Sequence, residues 1–334
     1  MKVLVTGSGG FIGYNMCLDL LRRGHSVVAA YRSSMPDDLA RAAREYGGRL
    51  EPVKGDLLDP ATYERLAPLG IEGVVHSAVI TCPNISERDA YVYMVRNNID
   101  STVNLVEFCM KHEIMNFVYV SSSGVYGSLY GAGATVSEEA PLDLYSTYTV
   151  TKRSCELIVA RFGAITGARA VSARISSPYG DFERVTNSRA NMSPPYMMVH
   201  AALDKRRLVI HGPDLGRDWT YVDDIINGIY LLLTVPREQL RHTEYNVSCG
   251  EPGTNRDIAQ AVLAAEPDFS YIFCKDTEEA DMVLFPPITR GAMDIGRLKA
   301  DTGFQPRFSL KEGIAKYCAH QKRQNERAGD GANG

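Results

Sequence analysis

Tyr148 and Lys152 stand four residues apart in Ser146-Thr147-Tyr148-Thr149-Val150-Thr151-Lys152. On a helix, that spacing puts both side chains on one face. An ammonium beside a phenol favours the phenolate, whose ordinary pKa of about 10 is then nearer working pH. Such a tyrosine can take a proton from an alcohol while hydride leaves the same carbon, or do the reverse. A second set of hydroxyls closes an apolar run in Val118-Tyr119-Val120-Ser121-Ser122-Ser123-Gly124-Val125-Tyr126-Gly127. A serine there can hydrogen-bond the reacting hydroxyl and polarise the carbonyl as it forms. The third feature is the opening Met1-Lys2-Val3-Leu4-Val5-Thr6-Gly7-Ser8-Gly9-Gly10-Phe11-Ile12-Gly13, a β-type run entering a glycine-rich turn before an amphipathic stretch from Tyr14 to Arg23. Glycines remove side chains where backbone meets a pyrophosphate, and a helix start offers N–H groups and a positive dipole end. Each feature alone has a plainer reading: a surface lysine beside a packed tyrosine, a serine turn bonding its own backbone, a tight turn. The three together, in this order, favour chemistry.

The elements that would position these groups alternate. Strands are predicted at Lys2–Val5, Ser26–Ala30, Leu50–Lys54, Gly73–Ser77 and Asn116–Ser121, with helices at Phe11–Arg23, Met35–Tyr46, Pro60–Ala67 and Val92–His112. This pattern predicts an α/β fold with a doubly wound parallel sheet. Right-handed crossovers then put Gly7, Tyr31, Asp56, Ser77 and Ser122 along one sheet edge, where a ligand belongs. A helix at Ser146–Phe162 and a strand at Arg169–Ile175 follow. After Pro178 the alternation breaks into a polar loop, Asp181–Pro195, then a helix at Tyr196–Leu203, a strand at Leu208–His211, a helix at Tyr221–Thr234, a strand at Glu244–Ser248 and a helix at Thr254–Ala265. We expect residues 1–177 to be mainly the dinucleotide-binding domain, with later segments crossing back at about 208–248. Residues 178–320 are expected to form mainly a smaller substrate-binding lobe, and 321–334 a frayed, flexible tail.

Composition narrows the class. The 334 residues are 45% hydrophobic and 23% charged, ordinary for a globular protein. A formal net charge of −4 gives no sign of a nucleic-acid or anionic-membrane partner. No apolar run reaches bilayer-spanning length, and the chain opens directly into a strand, so a cytoplasmic protein is expected. The seven cysteines are scattered and odd in number, which fits reduced thiols. His112-Glu113 begins an H-E-x-x-H pattern, but Asn116 stands where the second histidine belongs, and no metal site is expected. Ser121 lies in no G-x-S-x-G elbow, which argues against a serine hydrolase.

Gly7-x-x-Gly10-x-x-Gly13, Gly55-Asp56-Leu57, His76-Ser77-Ala78, Asn97-Asn98, Ser121 to Gly127, Tyr148-x-x-x-Lys152, Pro178-Tyr179-Gly180, Arg217 to Asp224, Tyr245-Asn246-Val247 and Gly303-Phe304-Gln305-Pro306 occur in that order. Through these blocks the chain resembles the extended short-chain dehydrogenase/reductase family, the NAD-dependent epimerase/dehydratase group of the UDP-galactose 4-epimerases, from Lys2 to about Lys316. The resemblance implies a Rossmann fold and a catalytic set of Ser122, Tyr148 and Lys152, with Tyr148 as acid/base and Lys152 holding the nicotinamide ribose. It implies that Gly7, Gly10, Phe11, Ile12 and Gly13 meet the pyrophosphate, and that Asp56 and Leu57 edge the adenine. Ser77 and Ala78 would line the cofactor channel, Asn97 would support the nicotinamide end, and Ser176 joins the cofactor set. Ser122, Ser123, Tyr148, Ser177, Arg217 and Arg290 would face substrate, Arg217 meeting a diphosphate with its guanidinium fork. The plainer reading of Arg217 is a partner for Asp218 or Asp223. Asp223-Asp224 reads as a helix N-cap and first-turn charge, not a metal pair.

The departures from the family pattern also inform. NAD-preferring relatives carry an acid at Tyr31; here Arg32 with Ser33 and Ser34 can hold a 2′-phosphate, which leans the cofactor from NAD towards NADP, although arginine also stacks on adenine in NAD enzymes. Dehydratases of the family place Asp-Glu after the catalytic hydroxyl and decarboxylases a Glu at Gly124; this chain has Ser123-Gly124. Ser177 replaces the usual substrate asparagine, and Arg290 sits in a shifted context. The expectation is a nucleotide-sugar epimerase. The alternatives are an NAD(P)-dependent dehydrogenase or reductase of a sugar or other hydroxylated small molecule, and a non-catalytic dinucleotide-sensing protein. By the resemblance, Val92–His112 and Thr147–Phe162 would pair two copies into a homodimer.

Overall fold

The computed structural model describes residues 1–33, 37–81, 85–131, 133–186, 191–284 and 288–332. Ser34, the start of the Met35–Tyr46 helix and Cys82 lie outside them. Strand and helix alternate through the first half: β1 (Lys2–Thr6), α1 (Phe11–Arg22), β2 (Ser26–Tyr31), α2 (Asp37–Glu45), β3 (Leu50–Lys54), α3 (Pro60–Leu66), β4 (Gly73–His76), α4 (Glu87–Val95), α5 (Ser101–Lys111) and β5 (Asn116–Ser122). A two-residue β6 (Thr135–Val136) precedes α6 (Thr147–Thr166), β7 (Arg169–Ile175) and β8 (Ser177–Tyr179). The later chain adds α7 (Pro194–Leu203), β9 (Leu208–His211), β10 (Gly216–Tyr221), α8 (Val222–Thr234), β11 (Glu244–Val247), β12 (Pro252–Thr254), α9 (Asn255–Ala265), β13 (Tyr271–Cys274), β14 (Ala292–Met293), α10 (Gly296–Thr302) and α11 (Leu310–Ala332).

The main sheet runs β11-β7-β5-β4-β1-β2-β3, with every pairing parallel. Parallel strands covered on both faces are apolar throughout, and successive residues serve opposite layers. Val3, Val5, Val27 and Ala29 pack into one core with α1 and α8; Leu4, Val28, Phe117 and Tyr119 pack into the other with α5 and α6. This is the doubly wound α/β fold that the alternation predicts. The small sheets β12-β10-β8, β13-β9 and β14-β6 lie outside it.

Three local predictions need correction. The helix predicted at Val92–His112 is α4, a π turn over Arg96–Asp100, and α5. Polar residues 96–98 interrupt the apolar period, and a π turn shifts the helix phase where they fall, a common device near functional sites. Pro194-Pro195 open α7 instead of ending a loop, because proline suits a first helical turn. Residues 321–332 are not a frayed tail. They continue α11, with Gln321 buried and Lys322 2.8 Å from Glu266. The apolar anchors Ile314, Tyr317 and Cys318 lie one to two turns earlier and carry the polar end.

Candidate active site

The glycine turn lies against the C-terminal ends of β1 and β4. Gly7 has φ +67°, and a Cβ there would sit 2.8 Å from the backbone of Ala78; a Cβ on Gly13 would sit 2.2 Å from the Gly7 carbonyl oxygen. Ser77 Oγ donates to Thr6 O at 2.7 Å, and Ala78 N–H to Thr6 Oγ1 at 3.2 Å. Beneath, Thr6 Oγ1 and His76 Nδ1 are 2.7 Å apart, and burial pushes His76 down to about 3. Helix α1 starts at Gly10 with no side-chain cap and no acid in its first turn. Its own first turn therefore brings no carboxylate to compete for its first N–H groups.

Helix α6, which carries Tyr148 and Lys152, is fixed at its start. Ser146 and Thr149 form a reciprocal cap on α6, and Glu87 Oε1 of α4 accepts from Thr147 N–H and Oγ1–H at 2.5 and 2.6 Å. The ring of Tyr148 packs against Ile80, Ala90 and Met94. Lys152 is 2% exposed; its Nζ donates to Val120 O at 2.6 Å and lies 5.7 Å from the Tyr148 ring centroid. Burial pushes the Lys152 ammonium down to about 8. Ser122 Oγ accepts from Gly124 N–H at 3.0 Å, which leaves its own proton to donate. A Cβ on Gly124 would sit 3.2 Å from Ser122 Oγ and 3.7 Å from Tyr148 Cε1. Ser122 and Tyr148 thus flank a position where the chain carries no side chain, with the Lys152 ammonium beside the Tyr148 ring.

A buried ionic network supports that corner. Arg174 of β7 forks onto Glu156 of α6, Nε to Oε1 at 2.9 Å and Nη2 to Oε2 at 2.8 Å, and Ser121 Oγ donates to Glu156 Oε1 at 2.6 Å. The opposed carboxylate holds the Arg174 guanidinium above its ordinary range despite burial. Glu156 lies four residues after Lys152 on α6, so strand β7, helix α6 and the serine turn are tied two turns below Tyr148.

A cleft of about 1390 Å³ joins these parts. Among the residues singled out from sequence, Gly7, Gly10, Phe11, Ile12, Gly13, Ser77 and Ala78 line one side; Ser122, Tyr148, Lys152 and Ser176 its centre; Ser123, Ser177, Arg217 and Arg290 its far side. Arg32, Ser33, Asp56, Leu57 and Asn97 do not line it; they follow β2 and β3 or lie on the π turn. Arg32 Nη1 donates to Asn97 Oδ1 at 2.8 Å and Nη2 to Tyr93 Oη at 3.1 Å. The neighbouring Asn98 points inward instead, bonding Ile80 N, Ile80 O and Thr151 Oγ1 at 2.8 to 3.1 Å, and so joins the chain after β4 to α6. Asp56 accepts from Leu58 N–H, and Leu57 O from Asn104.

On the far side, Arg290 Nε donates to Gly127 O at 2.9 Å and Nη2 to Tyr145 Oη at 3.1 Å. Burial, then the adjacent charge of Arg290, pulls Arg217 down to about 9. Of the two acids weighed as partners for Arg217, Asp218 accepts from Thr220 Oγ1 and Met293 N–H at 3.0 Å each, and Asp223 binds Lys316. Asp223 and Asp224 do lie in the first turn of α8, but Tyr221, not either acid, is the N-cap. Asp224 holds Arg307.

Sequence reasoning missed Glu87, Asn98, Glu156 and Arg174. An acid in register with Tyr148 and Lys152, and an arginine one residue from the end of a buried strand, were available signals for the last two.

The family model of the NAD-dependent epimerase/dehydratase family matches residues 3–248. The chain belongs to that family. This epimerase/dehydratase is an enzyme of the extended short-chain dehydrogenase/reductase type. It is 29% identical over 327 residues to a dTDP-glucose 4,6-dehydratase of Streptomyces griseus, covering 95% of this chain and 93% of that one. It is 28% identical to a protein described as an uncharacterized UDP-glucose epimerase in Bacillus subtilis, covering 96% and 98%. Among solved structures, the Thermus thermophilus UDP-glucose 4-epimerase in complex with NAD superposes with a TM-score of 0.77 at 25% identity, covering 96% and 99%. The residues present fit a nicotinamide dinucleotide: a glycine turn in which a Cβ on Gly7 or Gly13 would clash with backbone, an uncapped helix start, and a buried lysine beside Tyr148. Among the described residues no helix is long and apolar enough to cross a membrane.

Proposed function

We propose that the protein is a nucleotide-sugar epimerase working by transient oxidation, with Tyr148 as the acid/base. The observation that carries this reading is that Ser122 and Tyr148 flank Gly124, a position with no side chain, while the Lys152 ammonium lies beside the Tyr148 ring. A dehydratase needs a further acid to protonate a leaving hydroxyl, and neither Ser123 nor Gly124 supplies one.

The nicotinamide supplies, when bound, a reversible hydride acceptor beside the sugar carbon. Tyr148 takes the hydroxyl proton of the sugar as its phenolate, Lys152 stabilises that negative charge, and Ser122 Oγ–H bonds the oxygen as it becomes a ketone. The ketone then presents its other face, and Tyr148 returns the proton to the inverted alcohol. Ser123, Ser177, Arg217 and Arg290 bind the sugar nucleotide, the two guanidinium groups facing its diphosphate. Phe11 and Ile12, with Gly7, Gly10 and Gly13, receive the cofactor pyrophosphate, and Ser77, Ala78 and Ser176 its nicotinamide half. Asp56, Leu57 and Asn97 take the adenine end; the bond between Asn97 and Arg32 supports this placing of Asn97 over the nicotinamide end. Arg32 and Ser33, with no acid at Tyr31, favour NADP over NAD.

Residues 1–177, with the stretch that crosses back at about 208–248, form the coenzyme half, and 178–320 form most of the smaller lobe, which brings Arg217 and Arg290 to the substrate. Exposed Val103 and Met110 on α5, and Val150 and Leu157 on α6, each seven residues apart, support a homodimer through these two helices. A cytoplasmic setting suits six free thiols among the described residues.

Incubation with UDP-glucose, dTDP-glucose and UDP-glucuronic acid, read by NMR and by absorbance of the reduced coenzyme, tests the reading. An epimer with no net coenzyme turnover supports it. Stoichiometric coenzyme conversion identifies a dehydrogenase or reductase instead. A 4-keto-6-deoxy product identifies a dehydratase.

A further inference from the structure

The glycine turn offers only backbone donors. None of residues 7–13 carries a positive side chain, yet a dinucleotide brings a pyrophosphate of two negative charges to it. Among the described residues, the Lys and Arg that line the cleft are Lys152, Arg184, Arg206, Arg217 and Arg290. Lys152 is anchored to Val120 O next to Tyr148, and Arg217 and Arg290 lie with Ser123 and Ser177 on the far side. Arg184 is different. Its guanidinium carbon lies 5.0 Å from the ring centroid of Tyr14, in the first turn of α1, the helix whose start the glycine turn opens.

The segment that brings it there is docked onto that helix. Asn15 Nδ2 donates both to Phe11 O and to Asp181 O at 2.9 Å. The Phe182 ring packs edge-on to Tyr14 with centroids 4.9 Å apart, and Phe182 takes φ 64°, a left-handed conformation uncommon outside glycine. Asp181 is held from the other side by Tyr221 Oη at 2.6 Å and His320 Nδ1 at 3.1 Å. Glu183 accepts from Ser193 N–H and Oγ–H at 3.2 and 2.8 Å, which closes the base of the arm. A turn with a strained backbone and three anchors persists only where its surroundings over-determine it.

We infer that Arg184 is a second grip on the cofactor pyrophosphate, reaching from the substrate half of the chain to the glycine turn and supplying the charge that the turn lacks. The inference rests on the dinucleotide reading of the cleft. The phosphates would then be held from both lobes: by backbone N–H groups of α1 on one side and by a planar guanidinium, pre-positioned on Tyr14, on the other. Retention of the coenzyme through a catalytic cycle, which an epimerase requires, follows from such a two-sided hold.

Calorimetric titration of NAD+ and NADP+ into the full chain, its R184Q variant and its R184K variant tests this. Loss of one charged hydrogen-bonding group predicts roughly 10- to 100-fold weaker dinucleotide binding in R184Q, with partial recovery in R184K. UDP binding should be unchanged. Equal dinucleotide affinity in R184Q and the parent overturns the inference, and so does a loss confined to UDP, which would assign Arg184 to the substrate. A second measurement needs no variant: phenylglyoxal labelling mapped by mass spectrometry should find Arg184 shielded by NAD+ or NADP+ and not by UDP. Labelling indifferent to dinucleotide also overturns it. A parent chain that binds neither dinucleotide fails the cofactor reading itself, a result distinct from either.

Discussion

The two walls of the cleft are built in different materials. The wall proposed for the coenzyme is mostly backbone: a glycine turn in which a Cβ on Gly13 would lie 2.2 Å from Gly7 O and one on Gly7 2.8 Å from Ala78, and strand ends stitched by Ser77 and Thr6. The substrate wall is mostly side chains from separate segments, with Arg217 on β10, Arg290 before β14 and Ser177 at the start of β8. A backbone wall tolerates no added atom and suits a ligand common to many enzymes. A side-chain wall can be exchanged residue by residue and suits a ligand that varies. The proposed catalytic residues Ser122, Tyr148 and Lys152 sit on the seam, which Glu156 and Arg174 stiffen from below.

The largest effect should come from the seam. Tyr148→Phe removes the proton acceptor and should lower kcat by about 10²- to 10⁴-fold, while calorimetry shows dinucleotide affinity nearly unchanged. If activity survives, the assignment of Tyr148 fails.

Gly13→Ala attacks the backbone wall. Its Cβ would lie 2.2 Å from Gly7 O, so the turn has to open. Dinucleotide affinity should fall at least ~100-fold, with a lower melting temperature. Affinity equal to the parent would mean that the turn is not the pyrophosphate cradle.

Arg217→Ala attacks the other wall. Nucleotide-sugar KM should rise roughly 10- to 100-fold with coenzyme affinity unchanged. A loss of coenzyme binding instead would erase the proposed division of labour.

The pH responses should be smaller and separable. His76 is buried with its folded pKa near 3, well below the unfolded value of about 6.5. Its contribution to stability is full above pH about 6.5 and is lost as pH falls from there towards 3, at up to about 1.4 kcal/mol per unit. Chemical denaturation across that range should show the slope, and His76→Gln should flatten it. Lys152, pushed down to about 8, loses its charge as pH rises through that value. The phenolate of Tyr148 then loses its stabilising partner, so kcat/KM should decline above pH about 8; a profile flat to pH 10 would argue against this role for Lys152.

The contrast between the walls also explains what could be read in advance. Strands β1 to β5 and the helices between them announce themselves by apolar runs and periodic faces, because a parallel sheet is apolar throughout. The glycine turn, the Tyr148–Lys152 spacing and the Ser122 turn are local in sequence and were legible as motifs. Asn98 was not distinguished from Asn97, because a π turn decides which of the two faces inward. Helix α11 was not among the predicted elements, and its polar end past residue 320 is held by burial of Gln321 and by Glu266, contacts that no local pattern encodes. Glu87 escaped because its partner, Thr147, is sixty residues away.

Strand β11 completes the main sheet beside β7, and α8 buries Ile225, Ile229 and Leu232 in the same core as Val3 and Val75. Cutting the chain after residue 177 would strip both from the coenzyme half and leave β7 as a raw, apolar edge open to aggregation. Engineers who wish to graft a new substrate specificity onto this scaffold should therefore splice on both sides of residues 222–247 and keep that stretch with the host.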